Sequence, residues 1–418
     1  MNPDRPVPFP NANARKQHGP RLLNMRNLYS DRMNQIKASS PFYAEYDLAA
    51  CRTAERREPA SHQKAALHRL QTWYGGSDGN GRGGILVLPT GGGKTFTAVH
   101  FTCRELISNG AKVLWLAHTH HLLEQAYSSF ASEVGLIGEP KSRLNVRLVS
   151  GMGGDHFPIH SVKSTDDVVI SSLPTACRAI KDGHTSLTDF LAASNGNLLV
   201  VFDEAHHAPA PSYRDLLREL RRRFPRMTLL GLTATPTYGN ESKAGWLIEL
   251  FPQGIVHQVT ANELMLQGIL ARPVFHEERT QFSPDFSERD YKLWLGAHRD
   301  VPEDIVTALA KNQERNDYII ATYAAKREKW GKTLIFADRW FQCEYLREGL
   351  AKKGIRVEAV YNHVGGSLGT VEERNQRSSD HNSKVLKAFK SDEIDVLINI
   401  KMLTEGTDVP DVQTVFLT

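Results

Sequence analysis

Five short, almost wholly apolar segments, separated by amphipathic stretches, do most to constrain what this chain can become. They are Gly84–Leu88, Val113–Ala117, Val168–Ser171, Leu198–Phe202 and Thr228–Leu232. Runs of that length, rich in Val, Ile and Leu, read as strands buried on both faces. Helical patterns lie between them at Thr95–Asn109, closed by Gly110, and at His120–Glu133. Strand, helix and strand with short joins make an α/β domain built on a parallel sheet. The pattern weakens over residues 261–330, which read mainly as helix at Ala261–Gln267, Ser287–Gly296 and Glu303–Trp330. Apolar runs return at Lys332–Phe336, Arg356–Val360, Asp395–Ile400 and Val412–Leu417, so a second α/β domain is expected from residue 331. The stretch Gly365–Ser383 reads as an exposed loop. The expected organisation is an extension over 1–56, a first domain over 57–260, a connecting segment over 261–330 and a second domain over 331–418.

Composition excludes several classes. Of 418 residues 40% are hydrophobic, enough for a sizeable core and against wholesale disorder. Lys and Arg number 51 against 47 Asp and Glu, a net of +4 that suits nucleic acid without proving it. Met1–Glu58 carries ten of the basic and six of the acidic residues, and so the whole excess. A basic arm on phosphates and a solvated helix packed on the main body both fit that piece. The four cysteines, Cys51, Cys103, Cys177 and Cys343, form no CxxC pair, which argues against a disulfide scaffold or a Cys-rich zinc site. A reducing cytoplasm is the expected location. The first residues lack a secretory apolar region, and no run reaches the roughly 20 apolar residues of a membrane span.

The strand Gly84–Leu88 leads into Pro89, Thr90, Gly91, Gly92, Gly93, Lys94 and Thr95, which open a helix. Glycines there let backbone N–H groups curl round an anion, and the helix N-terminus adds its positive end. Lys94 supplies a charge for the β- and γ-phosphates of ATP, and Thr95 a hydroxyl for Mg²⁺. Leu88 stands where the strict phosphate-loop pattern has glycine. A second buried strand ends in Asp203 and Glu204. Phosphoryl transfer needs such a pair, Asp203 for Mg²⁺ and Glu204 to polarise the attacking water.

These elements together resemble the superfamily 2 helicases, in the DEAH-type branch that includes restriction-enzyme motor subunits. Residues 88–95 resemble motif I, Asp203–His206 motif II and Gly231–Pro236 motif III. Thr333–Ala337 resembles motif IV and Leu403–Pro410 motif V. The resemblance implies two RecA-like domains with ATP between them and nucleic acid across the top. It implies that Arg57 and Gln63 read adenine, that Gly406 and Asp408 face the nucleotide, and that His206, catalytic beside Lys94 and Glu204, links the ATP site to the nucleic-acid side. Thr233 and Thr235 would couple hydrolysis to movement. His118, Thr119, Ser171, Ser172 and Thr404 would touch the nucleic-acid backbone.

The implied activity is an ATP-dependent helicase or translocase with duplex DNA as the expected partner, and other subunits of a defence or repair system as further partners. The family's motif VI would follow residue 418, so the second domain is expected to be truncated, or a partner chain to supply the missing arginine. The rival reading is an ATP-binding regulatory subunit without translocation. Among other features, His118, His120, His121, His206 and His207 invite a zinc reading, but no cysteine joins them. The run Arg218, Arg221, Arg222, Arg223 and Arg226 carries Leu216, Leu217 and Leu220 at core spacing, which favours a solvated helix face over a phosphate-binding one.

Overall fold

The computed structural model describes residues 42–53, 57–76, 82–151, 156–236, 241–277, 288, 303–361, 379–400 and 411–418. The chain divides into two compact units between Leu270 and Ala271.

The first unit is built on an eight-stranded sheet. Its strands are β1 (Tyr43–Asp47), β2 (Gly83–Val87), β3 (Lys112–Ala117), β4 (Arg143–Val149), β5 (Val168–Ser172), β6 (Leu198–Asp203), β7 (Thr228–Thr233) and β8 (Ile255–Gln258). The spatial order is β1-β4-β5-β3-β6-β7-β2-β8. Every pairing is parallel except β1 on β4. Alternate residues feed two cores. Val113 and Trp115 pack with the helices Ser61–Gly75, Lys94–Phe101 and His120–Glu133, while Leu114 and Leu116 pack with Leu173–Lys181 and Pro211–Arg223. Each fully buried Leu or Val adds about 1.5–3 kcal/mol relative to exposure, so strands closed on both faces are firmly held.

Three strands are less legible in the sequence. In β4, Arg143, Asn145 and Arg147 interrupt the apolar pattern, yet Arg147 is buried. Its guanidinium binds both oxygens of Asp166 at 2.7 and 3.1 Å and lies over the rings of Tyr43, at 4.3 Å, and Phe157, at 5.3 Å. Tyr43 thereby ties β1 to the sheet, inside the stretch expected to be an extension. β8, at Ile255–Gln258, is short and half-buried.

The helix expected over Thr95–Asn109 is regular only from Lys94 to Phe101. It widens to a π-turn over Thr102–Leu106 and tightens to a 3₁₀ turn over Ile107–Asn109 before Gly110, at φ 80°. The Thr102 hydroxyl donates to Ala98 O at 2.7 Å, competing with the regular ladder where it loosens.

The second unit holds a four-stranded parallel sheet of β9 (Thr333–Phe336), β10 (Val357–Val360), β11 (Val396–Asn399) and β12 (Thr414–Leu417), in the order β10-β11-β9-β12. Ile335, Val396 and Ile398 pack against Gln313–Trp330 and Trp340–Lys352, and Leu334 and Leu397 against Val385 and Phe389 of Ser379–Lys390. The expected helix Glu303–Trp330 is two helices, Glu303–Lys311 and Gln313–Trp330. Asn312 separates them because its side chain accepts from Arg315 N at 2.7 Å and caps the second. Apart from Glu288, the expected helix Ser287–Gly296 lies outside the described residues, as does the expected loop Gly365–Ser383 up to residue 378, while Ser379–Ser383 start the helix Ser379–Lys390. No described helix is long and apolar enough to cross a membrane.

Candidate nucleotide and nucleic-acid site

Parallel strands bring every motif of the first unit to one edge of its sheet. Along that edge come Ser171 and Ser172 on β5, His118 and Thr119 after β3, Asp203 and Glu204 at the end of β6, Thr233 on β7, and Pro89–Thr95 after β2. Ligands of open α/β sheets bind at this edge.

The loop after β2 turns sharply, with Gly92 N donating to Pro89 O at 2.8 Å. Gly91 and Gly93 take φ of 80° and 81°, the left-handed region that suits glycine. His62 Nε2 lies 2.9 Å from Gly92 O, and Gln63 Nε2 donates to the same oxygen at 3.2 Å. Gln63 Oε1 also accepts from Ala60 N at 2.9 Å. Gln63 thus braces both the loop and its own helix start. Arg57 sits nearby with its guanidinium 5.0 Å from the Phe96 ring. A cavity of about 570 Å³ is lined by Arg57, Lys64, His68, His100 and Arg104, and by none of residues 89–95.

Lys94 and Thr95 occupy the first turn of the helix, and Thr95 is buried. Lys94 Nζ lies 3.5 Å from Glu204 Oε1. Glu204 is itself a left-handed residue at φ 54°, an uncommon conformation that aims its side chain back across the strand tips. Its backbone N–H donates to Asp203 Oδ1 at 3.0 Å, while the buried Asp203 Oδ2 accepts no hydrogen bond of normal geometry. Burial, and then the charge of Glu204, push the Asp203 carboxyl up to about 7 against the pull of Lys94. An oxygen left in that state fits a hard cation, whose charge would favour the carboxylate.

His206 connects this pair to β7. Its Nδ1 is 3.4 Å from Glu204 Oε2 and 3.1 Å from Thr233 Oγ1. The Thr233 hydroxyl donates to Thr235 O at 3.1 Å and accepts from Thr235 N at 3.1 Å. With that proton committed, the network assigns the hydrogen to His206 Nδ1, shared between Thr233 and Glu204. Thr235 enters through its backbone, and its side chain is exposed.

On the other half of the edge, Thr119 caps the helix His120–Glu133, accepting from Leu122 N at 3.4 Å. Ser172 caps Leu173–Lys181 and donates to Thr175 Oγ1 at 2.7 Å. Ser171 has no exposed surface and its hydroxyl donates to Ser172 O at 3.2 Å. Ser171 therefore has no exposed side chain to offer a partner, because β5 is buried along its whole length. Thr404, Gly406 and Asp408 lie outside the described residues.

The histidines lie ring against ring rather than round one point. His118 and His207 have centroids 4.6 Å apart, and His206 and His207 4.1 Å. A second set joins His120 to His156 at 4.8 Å, with His156 Nε2 3.1 Å from Glu124 Oε1. The arginines of Pro211–Arg223 are tied to their own neighbours. Arg218 pairs with Glu249 at 2.8 Å, Arg222 and Arg223 with Glu219 at 2.7 and 2.6 Å, and Arg221 donates to Leu250 O at 3.3 Å. His62 escaped the sequence reading, and its only signal there is adjacency to Gln63.

Two families match this chain. The family described as Type III restriction enzyme, res subunit, matches residues 56–238, and Helicase conserved C-terminal domain matches residues 311–418. The chain belongs to the superfamily 2 helicases, related to restriction-enzyme res subunits. A helicase of a Sulfolobus islandicus filamentous virus is 24% identical over 84% of this chain and 57% of its own length. DNA 3'-5' translocase XPB2 of Sulfurisphaera tokodaii is 24% identical over 78% of this chain and 69% of its own. The Pyrococcus furiosus Hef helicase domain matches in fold with a TM-score of 0.51 at 18% identity, over 86% of this chain and 89% of that one. Among its relatives this superfamily 2 chain spans from 30% to 69% of their own length. Its two sheets are thus of the RecA-like kind.

Proposed function

We propose that this chain is the ATP-hydrolysing motor of a DEAH-type helicase or translocase that acts on nucleic acid, with duplex DNA as its track. The observation that carries the reading is the convergence of Lys94, Asp203, Glu204, His206 and Thr233 on three neighbouring strand tips.

In this reading the loop of residues 89–93 cradles the phosphates with its N–H groups, and Lys94 leaves Glu204 for the β- and γ-oxygens. Thr95 and Asp203 would hold Mg²⁺, which would neutralise phosphate charge when bound. Glu204, released from Lys94, orients and polarises the attacking water. Thr119, Ser172 and the described rim of β3 and β5 offer hydroxyls and helix-start N–H groups, which grip a phosphate backbone without reading bases. DNA is favoured by the relative named as a DNA 3'-5' translocase.

The test is ATP turnover by the purified protein alone and with duplex DNA, single-stranded DNA or RNA of equal length, at several salt concentrations. Turnover should rise most with duplex DNA, and the stimulation should fade steeply as salt increases. ATP binding with no turnover under any condition would favour a regulatory subunit instead. Stimulation by RNA alone would move the track to RNA.

A further inference from the structure

The contacts between His118, His207 and His206 suggest a role that the nucleotide site alone does not require. His118 follows β3 directly and precedes Thr119, the cap of the helix at the proposed nucleic-acid rim. His207 lies edge-on to it, with centroids 4.6 Å apart and planes at 63°. His207 also lies against His206, with centroids 4.1 Å apart and planes tilted by 43°. His206 in turn shares its Nδ1 hydrogen between Thr233, at 3.1 Å, and Glu204, at 3.4 Å. A continuous line of side chains in contact therefore runs from the tip of β3 to the carboxylate proposed to polarise water.

We propose that His118 and His207 are positioning residues through which nucleic acid held at the β3 tip sets the orientation of His206, and through it of Glu204. This rests on the proposed motor function and says how its two ligands sense one another. Packed rings transmit displacement because neither can move without the other yielding. Any shift of the Thr119 turn presses on His118 and then on His207. A small rotation of His206 trades its hydrogen between Thr233 and Glu204. In the present geometry the shorter contact of His206 is to Thr233, at 3.1 Å, and Glu204 lies between His206, at 3.4 Å from one oxygen, and Lys94, at 3.5 Å from the other.

The test is a double-mutant cycle on ATP turnover in the full chain, with His118→Ala, His207→Ala and both together, titrated with duplex DNA. His207→Ala should leave turnover without DNA near the wild-type value and lower the maximal DNA-stimulated rate by about 5- to 50-fold. His118→Ala should lower the maximal stimulated rate to a similar degree. The double variant should be no worse than either single one, because each breaks the same line. His207→Phe, which keeps a ring in place, should recover most of the stimulation and guards against loss through misfolding. Effects that multiply in the double variant would overturn the proposal. So would a change confined to the DNA concentration giving half-maximal stimulation, since that marks simple contact with DNA. A wild-type protein showing no nucleic-acid stimulation would instead remove the motor function, and this proposal with it.

Discussion

Lys94 and Glu204 face each other at 3.5 Å across the tips of two strands that are not neighbours in the sheet. The ammonium stands where it can pass from carboxylate to phosphate, so the pair competes with ATP. Glu204→Gln removes the competing charge while keeping the shape. ATP should bind the variant at least as tightly as the parent, and turnover should fall by about 10²–10⁴, the usual worth of a positioned base. Equilibrium binding of a fluorescent ATP analogue, alongside steady-state hydrolysis, checks both halves. Wild-type turnover would assign the base to another residue.

Gly93 is held at φ 81°, and a Cβ there would run into the Gln63 amide. Gly93→Ala should therefore cost about 1–2 kcal/mol in backbone strain and push Gln63 off the Gly92 carbonyl. Nucleotide affinity should drop at least tenfold while the fold persists, as a calorimetric titration beside a circular-dichroism spectrum would show. Unchanged affinity would mean that the loop tolerates the methyl group.

Asp203 carries a pH signature. Its folded pKa of about 7 stands above the 3.8 of an unperturbed aspartate, so between those values the folded state keeps a proton that the unfolded state releases. Its contribution is favourable below pH 4 and is lost as the pH climbs to 7. Asp203→Asn imitates the protonated acid throughout. Without nucleotide or Mg²⁺, the variant should melt close to the parent at pH 4.5 and several degrees above it at pH 8, a gain on the order of a few kcal/mol. An equal difference at both pH values would contradict this assignment.

Arg147 and Asp166 form a buried pair, 6% and 1% exposed at the side chain. Arg147→Met strands the aspartate and removes the platform under Tyr43. It should destabilise the first unit by about 3–5 kcal/mol, read as a lowered urea midpoint. Adding Asp166→Asn should return part of that loss, and a double variant no better than the single one would place the cost in the lost ring contacts.

The strands after which the motifs sit were legible because both their faces are buried, so Val113–Ala117 and Leu198–Phe202 stand out as unbroken apolar runs. β4 was not, because Arg147 finds in Asp166 and two aromatic rings the partners that let a charge be buried, and pairing is invisible one residue at a time. Likewise Lys94, Asp203 and Glu204 announce themselves through local pattern. Gln63 was legible as belonging to the site, but its brace on the loop was not, since that depends on where a carbonyl 29 residues away points. His207 could be read only as one of many histidines until β3 and β6 were known to be neighbours. Ser171 looked available because it ends an apolar run, whereas β5 stays buried through Ser172.

The antiparallel strand β1 also bears on how the protein can be handled. It covers the outer edge of β4, with Tyr43 pinned over Arg147 and Arg52 bonded to Ile137 O and Lys141 O. A version of the chain begun at Arg57 would keep every nucleotide-facing residue of the first unit. It would nonetheless leave a seven-residue strand with an open hydrogen-bonding edge, the kind of surface on which one molecule templates another. Shortened forms that spare the motifs but discard Tyr43–Asp47 should therefore fail by precipitating at high concentration, before any loss of catalysis can be measured.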